Sequence, residues 1–121
     1  MQWQFSNDAP IYTQLIQQVK VGIVTGAFPP GERLPSVRDM ATEAGVNPNT
    51  MQRAMAQLEA DGLAVGSRTA GRTVTENVSV IEAAAKERAR EAVAECLRIL
   101  SELGYSGEKA LVFVKEELHH E

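Results

Sequence analysis

Polar side chains able to read DNA bases open the third predicted helix of this sequence. Asn49 and Gln52 carry carboxamides that can each pair with adenine through two hydrogen bonds, and Arg53 can reach guanine or a phosphate. Asn47 and Thr50 lie in the same stretch, and Asn47 followed by proline is also typical of a helix N-cap. Two interpretations therefore stay open: a base-reading helix, or an ordinary capped helix whose polar face is solvated.

Three further arginines lie where they could meet backbone phosphates. Arg68 and Arg72 flank a predicted hairpin tip, where Gly71 would let the backbone approach a partner closely. Arg38 lies in the first turn of a predicted helix, where its charge opposes the helix dipole, and contact with a phosphate would explain this placement. The alternatives are a solvated hairpin turn and a salt bridge from Arg38 to a neighbouring carboxylate.

The overall composition limits the kinds of function that these residues can serve. The 121 residues carry a formal net charge of -4, which excludes a histone-like binder that holds phosphate through bulk positive charge. The length, with 44% hydrophobic residues, allows one hydrophobic core and an appendage. No apolar run approaches the roughly 20 residues needed to span a membrane, and no signal-peptide pattern is present. The sequence therefore predicts a cytoplasmic protein with no membrane partner.

Helical spacing, capping residues and helix breakers predict the elements that position these side chains. Ser36 with Asp39 three residues later is a variant of the capping box, so a helix is expected to begin there. Asn47 as an N-cap and Pro48 as the first helical residue likewise predict the start of the next helix. The predicted helices cover residues 11–24, 37–44 and 48–61, the predicted strands cover 63–67 and 72–75, and the predicted turn between the strands is Thr69, Ala70 and Gly71.

The second and third predicted helices are separated by a turn of about four residues, as in a helix-turn-helix. Met51 and Leu58 fall on one face of the third helix and Asn49 on the other, so one face can pack while the other reads a partner. With the hairpin, these elements predict a mainly α fold with a small β-hairpin. It is a winged helix-turn-helix over residues 1–77, followed by a two-helix dimerisation tail over residues 78–121.

Four stretches of the sequence resemble the GntR family of bacterial transcription regulators in residue types, order and spacing. They are Pro-Ile-Tyr at residues 10–12, Gly-Glu-Arg-Leu-Pro-Ser-Val-Arg at 31–38, Val-Asn-Pro-Asn-Thr at 46–50 and Leu-Glu-Ala-Asp-Gly-Leu at 58–63. The likeness covers roughly residues 9–76, and it implies a DNA-binding winged helix.

The resemblance also implies which residues approach DNA. In the family these are the arginine of the Leu-Pro-Ser-x-Arg motif, the polar start of the recognition helix and the wing glycine. The wing departs from the family pattern of Gly-x-Gly followed by an aromatic residue, because Ala70 and Thr73 stand around a single Gly71. Wing contacts are thus expected to matter less than those of the third helix. The implied residues are Arg38, Asn47, Asn49, Thr50, Gln52, Arg53 and Gly71.

The tail differs in character from the first part of the chain. Residues 80–103 contain neither proline nor glycine and predict one long helix stopped by Gly104, after which a second helix is expected around Leu111 and Leu118. A two-helix tail resembles the YtrA-like subfamily, in which the tail mediates dimerisation. The apolar stripe of the long helix is longer than one small domain needs, which indicates a homodimer; the alternative is packing on its own winged helix alone. The predicted dimerisation residues are Ile81, Ala85, Ala89, Ala92, Cys96, Ile99, Leu100 and Leu103.

The remaining chemically distinctive residues have structural interpretations. Cys96 is the only cysteine and lies on the apolar stripe, so it is expected to be a buried small hydrophobe rather than a reactive thiol. His119 and His120 are adjacent and would point about 100 degrees apart in a helix, which makes a poor metal chelate. Trp3 and Phe5 are expected to cover the edge of the core. The sequence predicts no metal and no cofactor, and it identifies no small-molecule effector.

These observations predict a sequence-specific DNA-binding transcription regulator, a repressor that binds an inverted-repeat operator as a homodimer. The alternative is a winged-helix module that binds proteins instead of DNA. No nucleophile with a base, no pair of acids in a cleft and no phosphate-binding glycine loop is recognisable, so an enzyme is not expected.

Overall fold

The computed structural model describes residues 1–69 and 71–120. Two residues of the predicted elements, Ala70 in the hairpin turn and Glu121 at the end of the tail, lie outside the described residues. The mainly α class with a β-hairpin is confirmed. In chain order the elements are α1 (Ile11–Val24), α2 (Val37–Ala44), α3 (Pro48–Ala60), β1 (Ala64–Ser67), β2 (Gly71–Val74), α4 (Val78–Glu102) and α5 (Glu108–His119).

The chain divides into two compact units, Met1–Ala85 and Lys86–Glu121. The division falls inside α4, because the first turns of this helix pack against the core of the first unit through Val80, Ile81 and Ala84. The domain limits expected from the sequence, 1–77 and 78–121, rest on the change in sequence character and stay a prediction.

The core of the first unit is built from one face of each of its helices and from the hairpin. Burial of these apolar side chains is the main force that holds α1, α2 and α3 together. Trp3 and Phe5 pack against the edge of this core, as predicted. The largest fully buried side chains are Leu15, Val19, Ile23, Met40, Met51, Met55, Leu58, Leu63 and Val74.

Local capping fixes the short connection between α2 and α3. The Ser36 hydroxyl accepts a hydrogen bond from the backbone N–H of Asp39 at 3.1 Å and begins α2. Gly45 ends α2 with a φ of 71°, a left-handed conformation that disfavours any residue with a Cβ. Asn47 then caps α3, whose first residue is Pro48. The predicted helix-turn-helix is therefore present, with a turn confined to residues 45–47.

The wing consists of β1, β2 and the turn between them, and a third segment pairs with it. The two strands are antiparallel, with Ala64 opposite Val74 and Ser67 opposite Gly71. Arg33 forms an isolated bridge with Thr73 on the other edge of β2. Because residues 31–34 exchange backbone hydrogen bonds with Val74 and Arg72 at 2.9 Å, the loop before α2 is tied to the wing.

The second unit contains the rest of α4 and the α5 helix. Gly104 follows α4 with a φ of 89°, which explains why the helix stops where the sequence predicted. The Tyr105 ring packs on Phe113 with the centroids 4.9 Å apart, and Ala110 is the buried residue of α5. The Arg98 guanidinium bonds to Glu95 on the solvent face of α4 and holds the pKa of that carboxyl below its ordinary value.

Within the described residues, none of the helices has the length and the apolar character that crossing a membrane requires.

Candidate nucleic-acid interface

The exposed face of α3 carries the polar side chains that the sequence singled out. Asn49, Gln52 and Arg53 are exposed, whereas Met51 and Met55 on the opposite face are fully buried. Thr50 is half-buried at the border between the two faces. The division of α3 into a packed face and an exposed polar face was thus predicted correctly.

Asn47 lies at the start of this face but has a structural task of its own. Its side-chain oxygen accepts a hydrogen bond from the backbone N–H of Asn49 at 2.7 Å. This bond satisfies one of the free donors at the N-terminus of α3. The cap holds the first turn of α3, on which Asn49 and Thr50 lie, in helical geometry.

We expect Asn47→Ala to lower the free energy of unfolding by about 1 kcal/mol, because it removes this cap. Asn47→Asp keeps an acceptor at the same place, so it should preserve most of the stability. Urea denaturation of the two variants beside Asn49→Ala checks the assignment, since no hydrogen bond of the Asn49 side chain occurs in the described part of the chain. Equal stabilities of Asn47→Ala and Asn49→Ala would show that the cap contributes nothing.

Arg53 is oriented by an aromatic ring from a different helix. Its Cζ atom lies 4.7 Å from the centroid of the Tyr12 ring, within the range of a cation–π contact. The ring limits the conformations open to the guanidinium while leaving the residue exposed. Tyr12 belongs to one of the family-like stretches, but the sequence gives no link between it and Arg53, because the two residues meet only when α1 packs on α3.

Arg38 projects from the first turn of α2 as an exposed side chain. Across residues 1–69 and 71–120 it makes no salt bridge, and the neighbouring Glu43 instead pairs with the α-amino group of Met1 at 3.1 Å. The predicted alternative of a bridge from Arg38 to a nearby carboxylate therefore gains no support.

The wing arginines differ from one another in a way that the sequence did not indicate. Arg68 is exposed beside the turn. The Nε of Arg72 donates a hydrogen bond to Oε1 of Glu59 at 2.9 Å, and only 21% of the Arg72 side chain is exposed. The structure therefore ties Arg72 to α3.

Arg33 is a further exposed cation that sequence reasoning missed. Its Nε atom lies 3.5 Å from the position that a Cβ on Gly71 would take, so the guanidinium lies directly beside the wing glycine. The signal that could have found it is the short extended segment before Pro35, which pairs with β2 at Thr73.

A groove of about 370 Å³ lies among these side chains, between the start of α2, the second half of α3 and the wing. It brings together basic, acidic and small polar residues from elements that are far apart in the sequence. Its lining includes Arg33, Ser36, Met55, Glu59, Gly66 and Arg72.

The second unit exposes an apolar surface, whose residues agree only partly with the predicted dimerisation set. Ala89, Ala92, Cys96, Ile99 and Leu103 are exposed. Exposure of Cys96 corrects the expectation of a buried thiol: within this chain α5 leaves the face of α4 around it uncovered.

Other members of that set are covered by their own chain, and two apolar residues of α4 outside the set are exposed. Ile81 packs against the core of the first unit, and Ala85 and Leu100 are half-buried. Val93 and Leu97 are 56% and 48% exposed, and both line an apolar cleft of about 290 Å³ between α4 and α5.

Comparison with known proteins identifies the family. The family described as "Bacterial regulatory proteins, gntR family" matches residues 11–74, which include α1, the helix-turn-helix and both strands of the wing. The chain belongs to the GntR family. The predicted resemblance is thereby confirmed, and the protein is a transcription regulator with a DNA-binding helix-turn-helix domain.

Three similar proteins extend this result beyond the matched domain. The HTH-type regulator YhcF of Bacillus subtilis, described as uncharacterized, is 33% identical over 112 residues, 93% of each chain. The HTH-type transcriptional repressor YtrA of the same organism is 42% identical over 71 residues, which are 59% of this chain and 55% of YtrA. A solved structure of a GntR family regulator from Listeria monocytogenes has a TM-score of 0.84 and 36% identity, covering 93% of this chain and 98% of that one.

Proposed function

We propose that this GntR regulator is a repressor that binds an inverted-repeat operator as a homodimer, in the cytoplasm. The observation that carries the proposal is the exposed polar face of α3, which stands opposite a fully buried apolar face in a DNA-binding helix-turn-helix. The repressor assignment is supported by the similarity to YtrA, which is named a transcriptional repressor.

In this proposal α3 enters the major groove with its N-terminal residues foremost. Asn49 and Gln52 offer carboxamides to base edges, and Arg53, supported on the Tyr12 ring, reaches a guanine or a phosphate. Arg38 and Arg68 reach phosphates on either side of the groove. The acidic chain thus binds a polyanion through a few local cations.

The homodimer forms through the tail. The second unit leaves large apolar side chains of α4 and α5 exposed, among them Val93, Leu97 and Leu111 at 56%, 48% and 48%. Exposure of this apolar surface to water is unfavourable in free energy for a single chain, and a two-fold partner can bury the surface. Two recognition helices related by this symmetry would read two copies of one half-site in opposite directions.

Selection of DNA from a random pool on the full-length chain tests the proposal. We expect enrichment of an inverted repeat with half-site centres about one helical turn, or a multiple of it, apart. Affinity for the enriched duplex should fall steeply between about 50 and 200 mM salt, because phosphate contacts release counterions. A pool with no enrichment, and retention on DNA that does not change with salt, would instead favour a protein-binding module.

A further inference from the structure

The side chain of Glu59 connects the recognition helix with both strands of the wing. It lies in the last turn of α3, and its Oε1 atom accepts the 2.9 Å hydrogen bond from Nε of Arg72 on β2. The same carboxylate lies over Gly66 on β1, where each of its oxygens would be 2.9 Å from an added Cβ. One carboxylate therefore contacts β1 and bonds to β2.

This contact requires a glycine at position 66, because only glycine has no side chain to displace the carboxylate. Its φ is not positive, so its backbone conformation suits any residue of a strand. A Cβ at 2.9 Å from both carboxylate oxygens would be closer than packed atoms allow, and the flexible end of Glu59 is the group that can move. An alanine at this position is thus compatible with the strand but displaces the carboxylate that holds Arg72.

The charges argue against direct contact between Arg72 and a phosphate. The Arg72 guanidinium already has a carboxylate partner, and its side chain is only 21% exposed. Arg33 and Arg68, by contrast, are exposed cations, Arg33 beside the wing glycine Gly71 and Arg68 in the turn of the wing. A carboxylate close to a surface that binds DNA also repels phosphate, so Glu59 has an electrostatic cost for binding unless it serves another purpose.

We propose that Glu59 is a positioning residue, which fixes the wing on α3 so that the exposed wing cations meet the DNA backbone, and that Arg72 is its structural partner. This inference rests on the proposed operator binding. The ion pair joins residues that are 13 positions apart in the chain, and it thereby holds the wing and the recognition helix in one fixed relation. The carboxylate thus aids DNA binding despite its charge.

The sign of one substitution separates positioning from simple electrostatics. Glu59→Gln removes a negative charge beside the groove, so electrostatics alone predicts tighter binding to the selected operator. Positioning predicts the opposite, a loss of roughly five-fold, which is modest because the ion pair is partly exposed. Arg72→Met should give a similar loss, and the double variant should lose no more than either single one.

The matched control is Asp61→Asn, which removes the same charge from the end of α3. Asp61 accepts a hydrogen bond from Gln57 on its own helix rather than from the wing. We expect operator binding of this variant to be unchanged or slightly tighter. Unfolding midpoints of all variants are measured beside the isotherms, since a loss of folded protein lowers the active fraction without changing the salt slope.

Gly66→Ala distinguishes positioning through Glu59 from a merely structural role of the glycine, when its effect on operator binding is measured in two backgrounds. In the wild-type background it should weaken operator binding about as much as Glu59→Gln, because it pushes the carboxylate off Arg72. In the Glu59→Gln background it should add little, since no charged pair remains to be broken. A glycine needed only for packing of the strand would cost the same in both backgrounds.

Binding isotherms of the full-length variants on the selected operator decide the matter. Weaker binding of Glu59→Gln, together with non-additivity for Gly66→Ala and Arg72→Met, supports the inference. Tighter or unchanged binding of Glu59→Gln, or additive losses, overturns it while leaving the proposed function intact. Failure of the proposed function has a different signature, because the wild-type chain itself then enriches no operator.

Discussion

Arg53→Ala should weaken operator binding by roughly 5- to 100-fold, the range typical for an arginine that contacts a base, while shifting the unfolding midpoint only slightly. Arg53 is exposed on α3, and the loss of its cation–π contact with Tyr12 should cost the fold about 1 kcal/mol or less. Arg38→Ala should weaken binding to the operator and to random duplexes alike and reduce the salt slope by about 1, as expected for a phosphate contact.

Isotherms on the selected operator and on a random duplex, each at several salt concentrations, distinguish the two arginines. Arg88→Ala is the matched control, since Arg88 is an exposed arginine of α4 whose carboxylate partner lies 3.5 Å away at Glu91. Wild-type affinity in both the Arg38 and the Arg53 variants would refute the assignment of this surface. A large drop in the unfolding midpoint would show that the arginines serve the fold instead.

The helix-turn-helix could be predicted because its signals are local. Ser36, Gly45 and the Asn47-Pro48 pair act within a few residues of themselves, by capping a helix or by adopting a left-handed conformation. The same holds for the polar face of α3, since helical geometry alone separates the two faces of a helix.

Pairs that meet through tertiary packing could not be found in this way. Glu59 and Arg72 are both charged surface residues by pattern, and only the position of the wing against α3 brings them to 2.9 Å. Arg53 and Tyr12 come together only through packing of α1 on α3, and Arg33 reaches Gly71 only because its segment pairs with β2. Each missed feature depends on contacts between elements distant in the sequence.

The apolar stripe of α4 shows a different limit of pattern reasoning. One stripe drawn along the whole helix assumes that a single face has a single partner. The first turns instead pack on the core of the first unit through residues such as Ile81, whereas Val93 and Leu97 are exposed farther along the helix. Periodicity shows which residues share a face, but it does not show where along a helix the partner changes.

Loss of the tail should have the largest effect on operator affinity. A chain that ends after Ala85 keeps Val80, Ile81 and Ala84, which cover the core of the first unit, and lacks the exposed apolar surface of the second unit. We expect it to fold as a monomer and to lose roughly 100-fold or more in affinity, because linking two binding modules raises avidity by about 10² to 10⁴.

Leu97→Glu tests the interface without removing any of the chain. Leu97 is 48% exposed in the single chain, so a glutamate there costs little in the monomer, but burial of its charge against a partner would cost several kcal/mol. Leu100 is a poorer position for this test because it is already half-buried within its own chain. Arg88→Gln is the matched control: it changes the net charge equally, and nine positions along a helix place it about 180 degrees from Leu97.

Sedimentation over a concentration series, with operator isotherms on the same samples, measures both consequences. The full-length chain and Arg88→Gln should sediment as dimers, whereas Leu97→Glu and the chain ending after Ala85 should sediment as monomers with correspondingly weak binding. Because the introduced carboxylate is unfavourable only where a partner chain excludes water, the operator affinity of Leu97→Glu should approach that of the shortened chain. A monomeric full-length protein, or a shortened chain that stays dimeric, would rule out the tail as the element that joins the two chains.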